Sequence, residues 1–195
     1  YMITATIRRD GSSRFGADHK WGTFPSVSVA WRIINEKFME GTHSWLDNLK
    51  LRVGYGITGN QNGVDPYKSL SVLSSAGASY YDAATGTWKN SYVQAQNANP
   101  DLKWESTAQF NVGIDFGFLN RINGSLEFYH KKTSDLLWTY PVPQPPYLVG
   151  TMLANVGDMV NKGVELTLGA NIVRTKDFSL SANASLAYNK QEITK

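Results

Sequence analysis

Strict alternation is the feature that most constrains this chain. Leu49, Leu51, Val53, Tyr55 and Ile57 fall on one face of an extended segment, and Lys50, Arg52, Gly54, Gly56 and Thr58 on the other. Successive side chains of a strand point to opposite faces, so this segment is a ribbon with one apolar and one polar side. The pattern returns at 1–9 (Tyr1, Ile3, Ala5, Ile7), 23–33 (Pro25, Val27, Val29, Trp31, Ile33), 103–118 (Phe110, Val112, Ile114, Phe116) and from Ile122 onward (Ile122, Leu126, Phe128). It returns again at 162–173 (Val164, Leu166, Leu168, Ala170, Ile172) and at 178–189 (Phe178, Leu180, Ala182, Ala184, Leu186, Tyr188). The expected fold is all-β, an antiparallel meander.

The connections alternate in length. Short turns are expected at 119–121 and 174–177, with a longer connector at 34–47 carrying a helical turn near Glu36–Glu40. Long loops are expected at 10–20, 59–102 and 139–160. The second has weak strand patterning near 67–73 and 88–95, enough for an extra hairpin. The third holds Pro141, Pro143, Pro145 and Pro146, which mark unpaired backbone because proline cannot donate to a ladder. Short turns at one edge and long loops at the other belong to transmembrane β-barrels, whose long loops face outside and short turns the periplasm.

A soluble β-sandwich is the main rival. Its apolar face would form a core about 10 Å thick, and its polar face would meet bulk water and carry many charges. Here the polar face is mostly Ser, Gly, Asn, Thr and Gln; at 178–189 it has no charged residue. Small uncharged polar groups suit the inner wall of a wide barrel. Tyr1, Trp31, Tyr55, Trp104, Phe116, Phe118, Phe178 and Tyr188 lie near expected strand ends, where barrels carry aromatic girdles. Bacterial single-chain barrels have even strand numbers. A count of seven, or nine with the extra hairpin, therefore implies that residues 1–195 form a partial barrel domain, an arc of a larger transmembrane β-barrel. Tyr1 opens directly inside a strand pattern with no leader before it, which fits an internal piece of a longer protein.

The 195 residues carry a formal charge of +3 and no cysteine. The charge implies no nucleic-acid partner; Arg8, Arg9 and Arg14, near Asp10 and Asp18, read as a solvated loop. The absence of cysteine excludes disulfides and thiolate metal sites. His19, His43 and His130 are scattered with no metal-ligand spacing, and no catalytic constellation stands out. Asn60, Asn62 and Asp65 do not match a calcium-loop spacing. No metal or cofactor is expected. Asp115, Glu127 and Glu165 are expected to face the lumen singly, without the paired carboxylates that an envelope hydrolase would need.

The stretches ATIRRDGSSRFG (5–16), WGTFPSVSVAWRI (21–33), LKLRVGYGITGNQ (49–61), NPDLKWESTAQFNVGIDFGFLNRINGSLEFYHKKTSDLL (99–137) and NVGDMVNKGVELTL (155–168) resemble the barrel of SusC/RagA-type TonB-dependent outer-membrane transporters. The likeness keeps the family's order over nearly the whole chain and is weakest at 62–98 and 138–154. It implies a barrel of about 22 strands with a plugged lumen. It also implies import of glycans or peptides, energy from the TonB complex acting on the plug, and a SusD-like surface lipoprotein as a lid. The remaining barrel, the plug and outer-membrane lipid would be further partners, and the location would be the outer membrane of a Gram-negative bacterium. No plug or TonB box is legible here, so the expected role is that of a segment of such a transporter, not an enzyme. The alternative is a soluble β-sandwich carbohydrate-binding module, which would need no detergent.

Candidate contacts for a substrate or a lid are the loop aromatics Tyr80, Tyr81, Trp88, Tyr92, Trp138, Tyr140 and Tyr147. Aromatic faces stack on sugar C–H faces and on peptide side chains while their polar tips reach water. They would equally serve to pack the loops on one another.

Overall fold

A computed structural model describes residues 1–194. The described residues form eleven strands: β1 (Met2–Gly11), β2 (Trp21–Arg32), β3 (Leu46–Asn60), β4 (Val72–Asp82), β5 (Thr87–Gln96), β6 (Glu105–Phe118), β7 (Ile122–Ser134), β8 (Leu137–Pro141), β9 (Thr151–Asn155), β10 (Asp158–Arg174) and β11 (Ser179–Ile193). Seven of them make one antiparallel sheet in the order β1-β2-β3-β6-β7-β10-β11. The strands β4-β5 and β8-β9 are two separate hairpins at the long-loop end. The remaining regular structure is short 3-10 turns at Ala17–His19, Ile33–Asn35 and Lys37–Thr42.

Register turns alternation into a two-sided wall. Directly opposed residues form the row Ile3, Val29, Val53, Val112, Phe128, Val164 and Tyr188, one from each of the seven strands. The next row toward the short turns is Trp31, Leu51, Ile114, Leu126, Leu166 and Leu186. On the other face Ser28, Gly54, Asn111, Tyr129, Gly163 and Asn189 stand in line. A slip of one residue anywhere would move a whole strand's apolar set to the polar side. The apolar face is uncovered: Phe128 is 43% and Leu186 69% exposed. In a sandwich a second sheet would cover this face.

The short-turn end is built locally. Leu119 and Asn120 both have positive φ (55° and 51°), and the Arg121 N–H donates to Phe118 O at 3.0 Å. Two central residues of that hand match the twist of a hairpin. Asparagine tolerates this conformation, whereas leucine does so at a cost. The Leu119 N–H is held by Trp45 O at 2.9 Å, and the Asn120 N–H donates to the Asp47 carboxylate. Aromatic rings line this end. Tyr1 stacks on Trp31 and Trp45 on Phe118, each pair with centroids 6.0 Å apart, and the Trp31 indole donates to Glu36 at 2.9 Å.

The buried core lies at the opposite end, under the long loops. Phe15, Phe24, Val64, Leu102 and Trp104 form it, with Ile57, Leu137 and Leu153 packed against them. Phe24 points inward from β2, and its ring passes so close to Gly59 that a Cβ there would sit 2.0 Å from Cζ. Gly16 meets the Pro100 carbonyl in the same way, a Cβ falling 1.6 Å from the oxygen, and its N–H donates to Leu102 O at 2.9 Å. Only glycine permits these approaches.

Several expectations need correction. Trp104 is 9% exposed, tilts against Phe15 and Phe24, and belongs to the loop core, not to a girdle. Tyr55 lies well inside β3. The extra hairpin is real, but its first strand runs Val72–Asp82, beyond the weak pattern at 67–73. The proline-rich loop also forms a hairpin, with Pro141 opposite Thr151 at its outer edge, where a missing donor is tolerated. A bulge between Asn171 and Val173 lifts Ile172 out of register, so Val173 stands opposite Leu180. Arg8 and Arg9 lie in β1; Arg8 pairs with Asp10 at 2.7 Å, while Arg14 donates to Val64 O at 3.0 Å.

Leu102 is fully buried. Leu102→Ala should cost about 2–5 kcal/mol locally by opening a cavity. The expected result in the full-length protein is faster proteolytic nicking within 61–104, with the seven-stranded sheet keeping its protease resistance.

Candidate functional site

Two regions concentrate polar and aromatic chemistry: the loop platform, and a charged cluster on the polar face of the sheet. The platform begins with buried asparagines. Asn97 and Asn99 are 3% and 8% exposed. The Asn97 side-chain amide donates to Val149 O (2.5 Å) and Thr151 O (3.0 Å), and its oxygen accepts from the Val149 N–H at 3.3 Å. Asn99 donates to Leu153 O at 2.8 Å. Asn155 reciprocates, donating to Lys103 O (2.8 Å) and Asp135 O (2.9 Å) while accepting from the Lys103 N–H (2.9 Å). These bonds supply partners for the strand-like edge of β9, so the β8–β9 hairpin is clamped to the segment 97–103. Sequence reasoning missed the asparagines. The available signal was NANPDLKW, where two asparagines lie just before the apolar Leu102 and Trp104.

The seven aromatic candidates do not form one site. Tyr81 and Trp88 are opposed across β4–β5, with ring centroids 5.5 Å apart at 60°. Tyr92 lies further along β5, opposite Ser75. Tyr80 stands opposite Lys89 on the other side of the hairpin. All four are exposed, Trp88 at 64%. Near the hairpin's turn the Asp82 carboxylate accepts from the Thr85 hydroxyl at 2.8 Å and the Ala84 N–H at 3.1 Å, and lies 3.6 Å from Lys89. The Thr85 hydrogen bond above all, helped by the backbone N–H groups and Lys89, holds its pKa below the usual carboxylate value against an opposing desolvation. Trp138 and Tyr140 belong to the other hairpin, opposite Ala154 and Met152. Trp138 is exposed and, with Leu136, Val156 and Ile193, lines an apolar groove of about 590 Å³. Tyr147 is half-buried in the connection between β8 and β9.

The polar face holds charges that cross-strand pairing brings together. Arg52 grips Asp115 with two donors, Nε to Oδ2 at 3.0 Å and Nη2 to Oδ1 at 2.9 Å. Glu127 lies 3.7 Å from the same guanidinium, and Lys50 3.8 Å from Asp115. Glu165 stands directly opposite Glu127. Contrary to the expectation that each carboxylate stands singly, Asp115 and Glu127 share a cationic partner. A cavity of about 240 Å³ opens over Ser28, Arg52, Gly54, Asn111, Gly113 and Glu127. Such a fork of fixed charges has the geometry to orient a polar ligand or a packed polypeptide.

The whole chain, residues 1–195, matches the family model described as TonB dependent receptor-like, beta-barrel. TonB-dependent receptor SusC of Bacteroides thetaiotaomicron is 42% identical over 100% of this chain and 19% of its own length. TonB-dependent receptor P39 of Formosa agariphila is 38% identical over 99% of the chain and 18% of its own. The RagAB peptide importer in its open-open state superposes with a TM-score of 0.87 at 34% identity, over 99% of this chain and 20% of that one. The siderophore receptor PirA of Pseudomonas aeruginosa shares the fold alone, with a TM-score of 0.56 at 16% identity over 98% of this chain and 32% of that one. The chain thus spans about a fifth of the length of the curated relatives it matches. Those relatives are named as receptors, not enzymes.

Replacing Asn97 by Ala strands backbone groups of Val149 and Thr151, at about 1–3 kcal/mol for buried unsatisfied polar groups. Amide hydrogen exchange should accelerate through 149–155 in the full-length protein and stay unchanged in β6 and β7.

Proposed function

The chain belongs to the TonB-dependent receptor-like β-barrel family, with SusC and RagA among its relatives, and from that premise we propose that its sheet is one arc of the wall of an outer-membrane importer. The observation that carries this reading is the uncovered apolar face, continuous in register across seven strands. Lipid is the environment that such a face requires. A closed barrel also satisfies every backbone donor and acceptor of its strands, which a bilayer demands. The polar face, with the Arg52–Asp115–Glu127 cluster, lines the lumen and meets the plug or the passing substrate. The long-loop end faces outside and the short turns face the periplasm.

On this reading the cargo is a glycan or a peptide. A SusD-like lipoprotein closes over the long loops, and the TonB complex drives release through the plug carried elsewhere in the full protein. The exposed rings of the two hairpins supply the contacts to cargo or lid. The loop core and the asparagine clamps support this assignment, because loops held on a rigid scaffold commonly carry binding.

Two experiments on the full-length transporter test the proposal. Leu168→Arg places a charge on the lipid side at a cost of about 2–4 kcal/mol near mid-membrane, so barrel assembly should fall. Thr167→Arg, one residue away on the lumen side, should be milder, and equal damage from both would contradict the assigned faces. Alanine at Trp88, Trp138 and Tyr140 together should weaken nutrient uptake or lid association while outer-membrane abundance stays near normal. If uptake and lid association both survive, the contacts lie elsewhere.

A further inference from the structure

The apolar face of the sheet ends abruptly in cations. The row above Val53, Val112, Phe128, Val164 and Tyr188 reads Tyr55, Phe110, His130, Lys162 and Lys190, each residue directly opposite the next. It starts aromatic on β3 and β6 and becomes basic on β7, β10 and β11. Lys132 follows on β7 on the same face, opposite Val160. Strand tilt explains why the change falls within one row. Strands of such a barrel lean by about 45°, so a row perpendicular to them climbs from one side of the arc to the other. On this face of β1 the apolar residues accordingly continue to Ile7, and Arg9 is the first charge there, its guanidinium 5.3 Å from the Trp21 ring. Arg9, His130, Lys162 and Lys190 are thus each the first basic residue beyond the apolar run on this face of their own strand.

Lys162 and Lys190 oppose each other directly. Like charges so placed are destabilising, because Cβ atoms across a pair lie about 5 Å apart. Carboxylates offset this only in part. Glu192 pairs with Lys190 on its own strand, and Asp158 lies 3.8 Å from Lys132. Lys162 makes no ion pair within 4 Å among the described residues and feels Glu192, opposite Val160 on the same face, only at longer range, while His130 stands beside it as a third donor. A lysine at this height lays its methylene stem along apolar surface and lifts its ammonium toward the headgroups.

We propose that His130, Lys162 and Lys190 form a seat on the outer wall for the phosphate of an anionic lipid headgroup in the leaflet next to the long loops. A phosphate set between the two ammonium groups relieves their repulsion and offers each a charge-assisted hydrogen bond. Its acyl chains then run down over Phe128, Val164 and Tyr188, the row immediately below. The inference rests on the membrane reading proposed above.

The test uses the full-length transporter purified in detergent, with bound phosphatidylglycerol counted against phosphatidylcholine by native mass spectrometry. The wild type should prefer phosphatidylglycerol. Lys162→Gln with Lys190→Gln should weaken that preference roughly 30-fold, and Lys162→Gln alone about fivefold, from the usual contribution of a lysine at an anionic surface. Lys131→Gln, which removes a lumen-side charge one residue from His130, should leave it intact. Equal retention by the double and single variants and the wild type would overturn the proposal, as would an equal loss in Lys131→Gln. Displacement of the lipid by excess inorganic phosphate would overturn the lipid as occupant. Brominated-lipid quenching of Phe128→Trp in excess of the wild type, whose own tryptophans set the baseline, separates the two readings. No excess quenching means the membrane assignment fails; excess quenching without a phosphatidylglycerol preference means the phosphate seat alone fails.

Discussion

Everything in this structure depends on cross-strand register. Each strand by itself only alternates, and alternation is compatible with many sheets. Pairing Val53 with both Val29 and Val112, and Phe128 with both Val112 and Val164, joins separate stripes into one continuous apolar wall. The pairing propagates because each strand's period is two: once one pair is in step, all side chains of that strand are on their proper faces. The tight turn at Leu119–Asn120 and the contacts from Trp45 and Asp47 pin the central hairpin to its neighbour. On the opposite face the same pairing delivers Arg52 to Asp115, residues far apart in the chain.

The long-loop end solves a different problem. Long loops with exposed aromatic rings need an interior to stay ordered, yet the wall below offers them no conventional core. Phe24 and Trp104 provide one by turning inward at the top of the sheet, with Leu102 sealed beneath them. Glycine at 16 and 59 lets backbone and ring come close enough to close it. The buried asparagines then extend this order to the second hairpin, replacing hydrophobic area with paired backbone groups. The outcome is a platform whose interior is fixed while Trp88, Tyr92 and Trp138 remain exposed.

How much of this was legible in the chain follows from the range of the interactions. The seven wall strands, their apolar and polar faces and the turn at 119–121 rest on period-two patterning and turn residues, which are local signals. The strand at 72–82 is misplaced by patterning because SSAGAS carries no apolar alternation, and Pro141, at the end of β8, masks the other hairpin. Trp104 looked like a girdle residue because its position near a strand end is local, whereas its partners Phe15 and Phe24 are remote. The Arg52–Asp115–Glu127 cluster and the lysine row need a register that no single strand reveals. Asn97 and Asn99 read as loop residues because their value lies in carbonyls more than fifty positions away.

The central claim is that one face of this wall meets lipid and the other the lumen. Single cysteines can be placed along β6 from Gln109 to Phe116 in a full-length protein from which any native cysteine has been removed, and spin-labelled in bilayers. Accessibility to molecular oxygen, which concentrates in lipid, should peak at 110, 112, 114 and 116. Accessibility to a water-soluble nickel chelate should peak at 109, 111, 113 and 115. Uniform accessibility along the strand, or oxygen maxima at the odd positions, would contradict the account.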